Sequence, residues 1–172
     1  MSAVTFIAHT EVGAGGAANI TFSSIPSTYD DLWLLLSLRV DTATTNSTYR
    51  LRFNSDTGSN YSDTTVRGTN ATITSFRQTS QTAIQTISTP GTSTTSTWNS
   101  VWIYIPNYKN TTNNKTVLID CANAQNSTTN YIAQFSGGLW RSTAAIDTIT
   151  ISQAVYNSVQ YSSATLYGVK KA

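Results

Sequence analysis

Charge is what this chain of 172 residues has least of: Asp, Glu, Lys and Arg make up 10% of it, against roughly a quarter in an ordinary soluble domain. There is one glutamate, Glu11, one histidine, His9, and one cysteine, Cys121. These scarcities exclude much chemistry. A lone cysteine forms no disulfide within the chain and no thiolate metal cluster, so Cys121 is expected to act as a small buried hydrophobe in the run Val117-Leu118-Ile119-Asp120-Cys121. Nucleophilic catalysis needs a nucleophile, a base and an orienting group. His9 is the only imidazole, it lies in a strand-like segment, and no Gly-x-Ser-x-Gly turn occurs. Glycoside hydrolysis needs two converging carboxylates, whereas Asp30, Asp31, Asp41, Asp56 and Asp63 stand where turns and strand ends are expected. Asp120 and Asp147 fall in expected strands and are read as partners of Arg or Lys at an edge or interface. The chain is therefore expected to be non-enzymatic, with no catalytic residue, cofactor or metal.

The formal net charge is +2, and Lys170-Lys171 is the only adjacent basic pair. A nucleic-acid-binding surface needs a denser basic stripe. Long apolar runs are also missing. Leu32-Trp33-Leu34-Leu35-Leu36-Ser37-Leu38 is too short to cross a bilayer and ends at Arg39, so no membrane span is expected. The opening MSAVTFIAHTEVGAGG has no basic region followed by a long apolar one, which points to synthesis and folding in a cytoplasm. Asn-x-Ser/Thr triplets begin at Asn19, Asn46, Asn60, Asn70, Asn110, Asn114 and Asn126. In a chain so rich in these residues chance produces them, and without an export signal glycosylation is not expected.

What the chain does have is Ser, Thr and Asn in abundance, with four Trp, nine Tyr and five Phe. β-branched and aromatic residues favour strands, and helical stretches with apolar spacings of three and four are absent. Short alternating runs separated by turn-rich clusters predict an all-β fold: a single antiparallel β-sandwich, jelly-roll-like, spanning residues 1–172. Strands are expected at 4–10, 19–24, 32–41, 48–54, 62–68, 73–78, 82–88, 100–105, 115–122, 131–135, 146–152 and 164–169. At 48–54, Tyr49, Leu51 and Phe53 alternate with Arg50 and Arg52, so one face is core. The strand at Leu32 is expected to be central, because Trp33 and Leu35 put apolar bulk on its second face as well. Trp102 and Tyr104 do the same opposite Val101, Ile103 and Ile105.

The loops carry two sharper alternatives. Val12-Gly13-Ala14-Gly15-Gly16-Ala17-Ala18 is read as a flexible connection, since a phosphate-binding loop would add Lys-Ser/Thr and a helix. Asn54 to Asn60 is read as a turn in which Gly58 takes a left-handed conformation. Its oxygen ligands suggest a calcium loop, but the distal acid is missing. The tracts Thr89 to Ser96 and Asn107 to Asn114 are loops within one domain.

Two sets of residues are candidates for contact with something else. Trp98, Trp102, Tyr104 and Tyr108 are close in sequence and are read as surface or interface aromatics, with core packing and binding of a host glycan as alternatives. The apolar segment 1–10, with Val4, Phe6 and Ile7, is read as an anchoring or exchanged amino-terminal strand.

Four phrases carry a resemblance: Ile20-Thr21-Phe22-Ser23-Ser24-Ile25-Pro26-Ser27-Thr28-Tyr29-Asp30-Asp31-Leu32, Leu51-Arg52-Phe53-Asn54-Ser55-Asp56-Thr57-Gly58-Ser59-Asn60-Tyr61-Ser62, Gly138-Leu139-Trp140-Arg141-Ser142-Thr143-Ala144-Ala145-Ile146, and Ser163-Ala164-Thr165-Leu166-Tyr167-Gly168-Val169-Lys170. In this order the chain resembles small virion structural proteins of tailed bacteriophages. The resemblance implies a β-sandwich on the virion surface, as a capsid decoration (cement), head-fibre or tail-fibre module. It implies a homo-oligomer, taken as a trimer, held on the major capsid protein or another virion protein, and it transfers no catalytic motif. Few charges suit such contacts, because burying an unpaired charge costs several kcal/mol.

Overall fold

The structure, a computed structural model, describes residues 3–93, 96–124 and 131–171, and among these it holds strands and no helix. The strands are β1 (Ala3–Glu11), β2 (Asn19–Phe22), β3 (Asp31–Ser37), β4 (Ser47–Phe53), β5 (Tyr61–Thr69), β6 (Thr72–Gln81), β7 (Ile84–Thr89), β8 (Ser100–Ile105), β9 (Lys115–Asn123), β10 (Ile132–Trp140), β11 (Ile149–Ser152) and β12 (Ser163–Lys170). They form an eight-stranded sheet, β1-β12-β3-β8-β9-β10-β5-β6, and a four-stranded sheet, β2-β11-β4-β7. Every pairing is antiparallel. The two sheets pack face to face on one core, a single-domain β-sandwich. The chain crosses between them repeatedly, so non-consecutive strands lie side by side, as in a jelly roll.

Period-two patterning places the core. Along β9 every second residue is buried, which turns Val117, Ile119 and Cys121 inward beside Val101, Ile103 and Ile105 of β8 and Leu32, Leu34 and Leu36 of β3. The small sheet answers with Ile20, Phe22, Tyr49, Leu51, Phe53, Ile84, Ile87, Ile149 and Ile151. Each large apolar side chain buried in this way contributes about 1.5–3 kcal/mol.

The strand boundaries depart from the sequence pattern where side chains or close packing replace the ladder. β3 stops at Ser37 rather than running to Asp41, because the next amides find other partners: Leu38 donates to Asn99 Oδ1 (2.6 Å), Arg39 to Ser162 Oγ (3.1 Å) and Val40 to the Pro90 carbonyl (3.1 Å). β10 runs past Phe135 to Trp140, through Gly137 and Gly138. A Cβ at Gly138 would stand 2.7 Å from Ile84 Cδ1 and Val117 Cγ2, so glycine there lets β7 pack closely instead of marking a strand end. β11 begins only at Ile149, which leaves Asp147 outside the strand. Its carboxylate accepts the Thr148 hydroxyl (2.8 Å) instead of an arginine or lysine. In the turn after β4 the left-handed residues are Asn54 and Ser55 (φ 50° and 56°), not Gly58.

Candidate functional site

Sheet register decides what the outer face of the eight-stranded sheet presents. Because residues directly opposite share a face, the pairs Phe6 with Tyr167, Tyr167 with Trp33, Trp33 with Tyr104 and Tyr104 with Leu118 run one apolar row across five strands. The next row holds Leu35, Trp102, Asp120, Phe135 and Val66. Phe6 is 59% exposed, Trp102 44%, Phe135 55% and Ile73 79%. Both edges of the central strand β3 are paired, as expected. Its second face, however, is uncovered in the isolated chain, with Leu35 exposed and Trp33 half-buried. Extended exposed apolar surfaces are where proteins commonly meet partners, membranes or ligands.

On the β1–β8 half this face folds into a groove of about 480 Å³ lined by Val4, Asp31, Trp33, Trp102, Tyr104, Val169 and Lys171. Trp33 and Trp102 meet edge to face, with centroids 5.7 Å apart and an interplanar angle of 83°. Phe6 and Tyr167 form a second such pair at 6.2 Å. Edge-to-face pairs of this kind hold rings in fixed orientations.

The polar end of the groove is organised by Asp31, whose side chain is 3% exposed. Its Oδ2 accepts the Tyr104 hydroxyl (2.8 Å), and its Oδ1 accepts the Asn107 amide (2.9 Å) and Lys171 Nζ (3.0 Å). Burial disfavours the charge, but the Asn107 amide, Lys171 and Tyr104 outweigh it and hold the carboxyl below its ordinary value. Burial, then the hydrogen bond to Asp31, pushes the Tyr104 hydroxyl up. Asp31 in turn raises the pKa of Lys171. Asp30 beside it accepts Lys109 Nζ (3.0 Å) and the Lys171 amide (2.9 Å).

The four aromatics singled out from the sequence separate. Trp102 and Tyr104 line the groove. Trp98 lies half-buried in the loop before β8, with the Arg39 guanidinium 5.4 Å from its ring centre. Tyr108 is fully buried and donates its hydroxyl to the Pro26 carbonyl. Trp33, the groove's other wall, comes from a distant strand, and only the β3–β8 register brings it there. Val4 and Phe6 stand exposed on the outer face, while Ile7 packs against the core. In the isolated chain their strand, β1, pairs with β12. Met1, Ser2, Asn126, Thr94 and Thr95 lie outside the described residues.

The remaining candidates resolve locally. Cys121 is buried, donates to the Ser88 carbonyl (3.3 Å), and burial pushes its thiol up to about 12, as befits a packing residue. His9 sits on edge strand β1 with Nδ1 2.8 Å from Thr165 Oγ1. Asp120 lies on β9, in the interior of the sheet rather than at an edge, and faces outward. In the Asn54–Asn60 turn, the Asp56 carboxylate takes the Gly58 amide (2.8 Å), Asn60 Nδ2 (3.0 Å) and Trp140 Nε1 (2.7 Å). Among the described residues no three His, Cys, Asp or Glu side chains are grouped to hold a metal ion.

Fold and face together define a β-sandwich, without helix among the described residues, that has one apolar, aromatic, charge-poor side. No protein-family model matches the chain, and no curated protein matches it.

Proposed function

We propose that this chain is a non-enzymatic structural protein of a bacteriophage virion, of the outer-capsid decoration or head-fibre type. In this reading it is made in the host cytoplasm, assembles with copies of itself, and attaches to the major capsid protein or another virion protein. The observation that carries the reading is the outer face of the eight-stranded sheet, where Phe6, Trp33, Leu35, Trp102 and Phe135 are left uncovered by any other layer of the chain, among few charges. Large aromatics with depleted charge characterise the buried centre of protein interfaces. The four phage-like phrases support the particle as the setting. Each of the four supplies residues of β3, β5, β10 or β12, strands of that same sheet. Immunogold labelling and peptide mass spectrometry of purified particles test it: the chain is expected at stoichiometric copy number on heads. Its absence from particles would remove the reading.

A second reading, a tail-fibre or receptor-binding module for host-surface carbohydrate, is favoured by the Trp33–Trp102 corner and the neighbouring Tyr104 hydroxyl and Lys171 ammonium. Flat apolar walls beside fixed polar groups are the mixture that concave ligand sites use. A glycan array probed with the native protein separates the two. Hits abolished by Trp102→Ala, on a protein found on tails, would replace the first reading with the second.

A further inference from the structure

The β9–β6 half of the outer face differs from the groove half. It consists of the outward residues of β9, β10, β5 and β6: Leu118, Phe135, Val66 and Ile73 over small residues at Gly68, Ala133 and Gly137. A hollow of about 330 Å³ lies among Val66, Gly68, Ile73, Ala133 and Phe135. Two charged side chains stand among these outward residues, one of each sign. Asp120 faces out from β9 and Arg77 from β6. Neither has an ion pair or side-chain hydrogen bond among the described residues.

Their placement is reciprocal. Three strand spacings separate β9 from β6, about 14 Å, and Arg77 is displaced from Asp120 by one row of outward residues along the strands. Because of that displacement, the two-fold axis that exchanges the two positions lies in the face midway between them and crosses the β10–β5 seam obliquely to the strands. A face turned onto its own copy about that axis sets Asp120 against the other copy's Arg77 and Arg77 against its Asp120. Phe135 and Val66, paired across β10 and β5, lie astride the axis, so each copy's pair meets the other's. A surface that matches itself under a two-fold rotation is what an isologous dimer requires.

The area suffices. Four strands cover about 19 Å across, and strands of this length run about 30 Å, a planar footprint on the order of 600 Å². Projecting side chains raise the accessible area toward the roughly 800 Å² per partner of a standard interface. We infer that the β9–β6 half of the outer face binds a second copy of this chain through two symmetric Asp120–Arg77 pairs around a Phe135–Val66 centre. This leaves the Trp33–Trp102 groove free for another partner. It deepens the reading of the outer face as a protein contact, and it sets a two-fold pairing where the resemblance implies a trimer.

Sedimentation equilibrium with charge reversal tests it. The wild-type chain is expected to sediment as a reversible dimer of an 18.6 kDa protomer. Asp120→Arg and Arg77→Asp are each expected to weaken dimerisation about ten-fold or more, because each places like charges together twice. The double variant Asp120→Arg/Arg77→Asp is expected to recover it. Thermal melts check that the variants fold, and Phe135→Ser serves as a charge-independent disruptor. A wild-type monomer at high concentration, a trimer, a dimer indifferent to the single reversals, or a double variant that fails to recover would each overturn the inference. Dimerisation is read in purified protein and attachment in particles. A dimer absent from virions therefore sinks the virion reading alone, and a monomer present on virions sinks this inference alone.

Discussion

The Tyr104 hydroxyl donates to Asp31 Oδ2 at 2.8 Å, which ties the wall of the outer groove to a carboxylate buried at the start of β3. The tie has a pH signature. The folded-state pKa of Asp31 lies below the ordinary aspartate value of 3.8, so its ionised form stabilises the fold above that value, and the contribution disappears as pH falls through the lower folded value. Asp31→Asn is expected to lower the unfolding midpoint at pH 7 by several degrees. As pH falls through the folded value, the difference is expected to narrow. Thermal melts between pH 2 and 7 check it, and a difference constant with pH would contradict it.

Asp63 is expected to behave with the opposite sign. It lies 2% exposed on the inner face of β5, with Oδ2 accepting the Gln85 amide at 3.4 Å and Oδ1 without a protein partner. Burial raises its pKa, so its contribution is most favourable when protonated and is lost as pH rises through the folded value. Asp63→Asn removes a poorly compensated buried charge and is expected to stabilise the protein by about 1 kcal/mol near neutral pH. Denaturant melts at pH 7 and pH 3 would show the gain at the first and its loss at the second.

Asp56 joins the turn after β4 to the end of β10. Trp140, 2% exposed, packs against Phe53 (5.5 Å between ring centres) and Tyr61 (6.3 Å), and its Nε1 donates to Asp56. Removing the acceptor orphans a buried indole N–H at about 1–3 kcal/mol. Asp56→Ala is therefore expected to be more destabilising than Asp147→Ala, whose carboxylate meets only the exposed Thr148 hydroxyl. Equal effects in chemical denaturation would contradict the assignment.

How much of this was legible in the sequence depended on the range of the cause. Period two is local, so each of the twelve strands lies where alternation marked it, and Tyr49, Leu51 and Phe53 are fully buried. The groove needs register. Trp33 meets Tyr104, and Leu35 meets Trp102, only once β3 pairs with β8, and nothing near Trp33 in the chain announces it. Trp98 and Tyr108, close to Trp102 and Tyr104 in sequence, do not join them in the groove, because they lie two residues before and three residues after β8, where the loops set their direction. Glycine signals misled for the same reason: Gly58 marked a turn whose left-handed residues are Asn54 and Ser55.

Gly168 illustrates a glycine required by a distant side chain. A Cβ there would stand 2.2 Å from the Tyr29 ring, which packs against the core. Gly168→Ala must displace that ring and is expected to cost about 1–3 kcal/mol. The double variant Gly168→Ala/Tyr29→Ala is expected to lose less than the sum of the single changes, as a double-mutant cycle by denaturant unfolding would show.

The central claim is that the outer face of the eight-stranded sheet is buried against protein on a virion. Photo-crosslinking from p-benzoylphenylalanine at position 102 in purified particles tests it most directly. The expected products join this chain to the major capsid protein or another virion protein, and probes at Thr21, on the exposed face of the four-stranded sheet, give few. Particles that lack the chain, or that carry it with position 102 open to solvent and uncrosslinked, would contradict the claim.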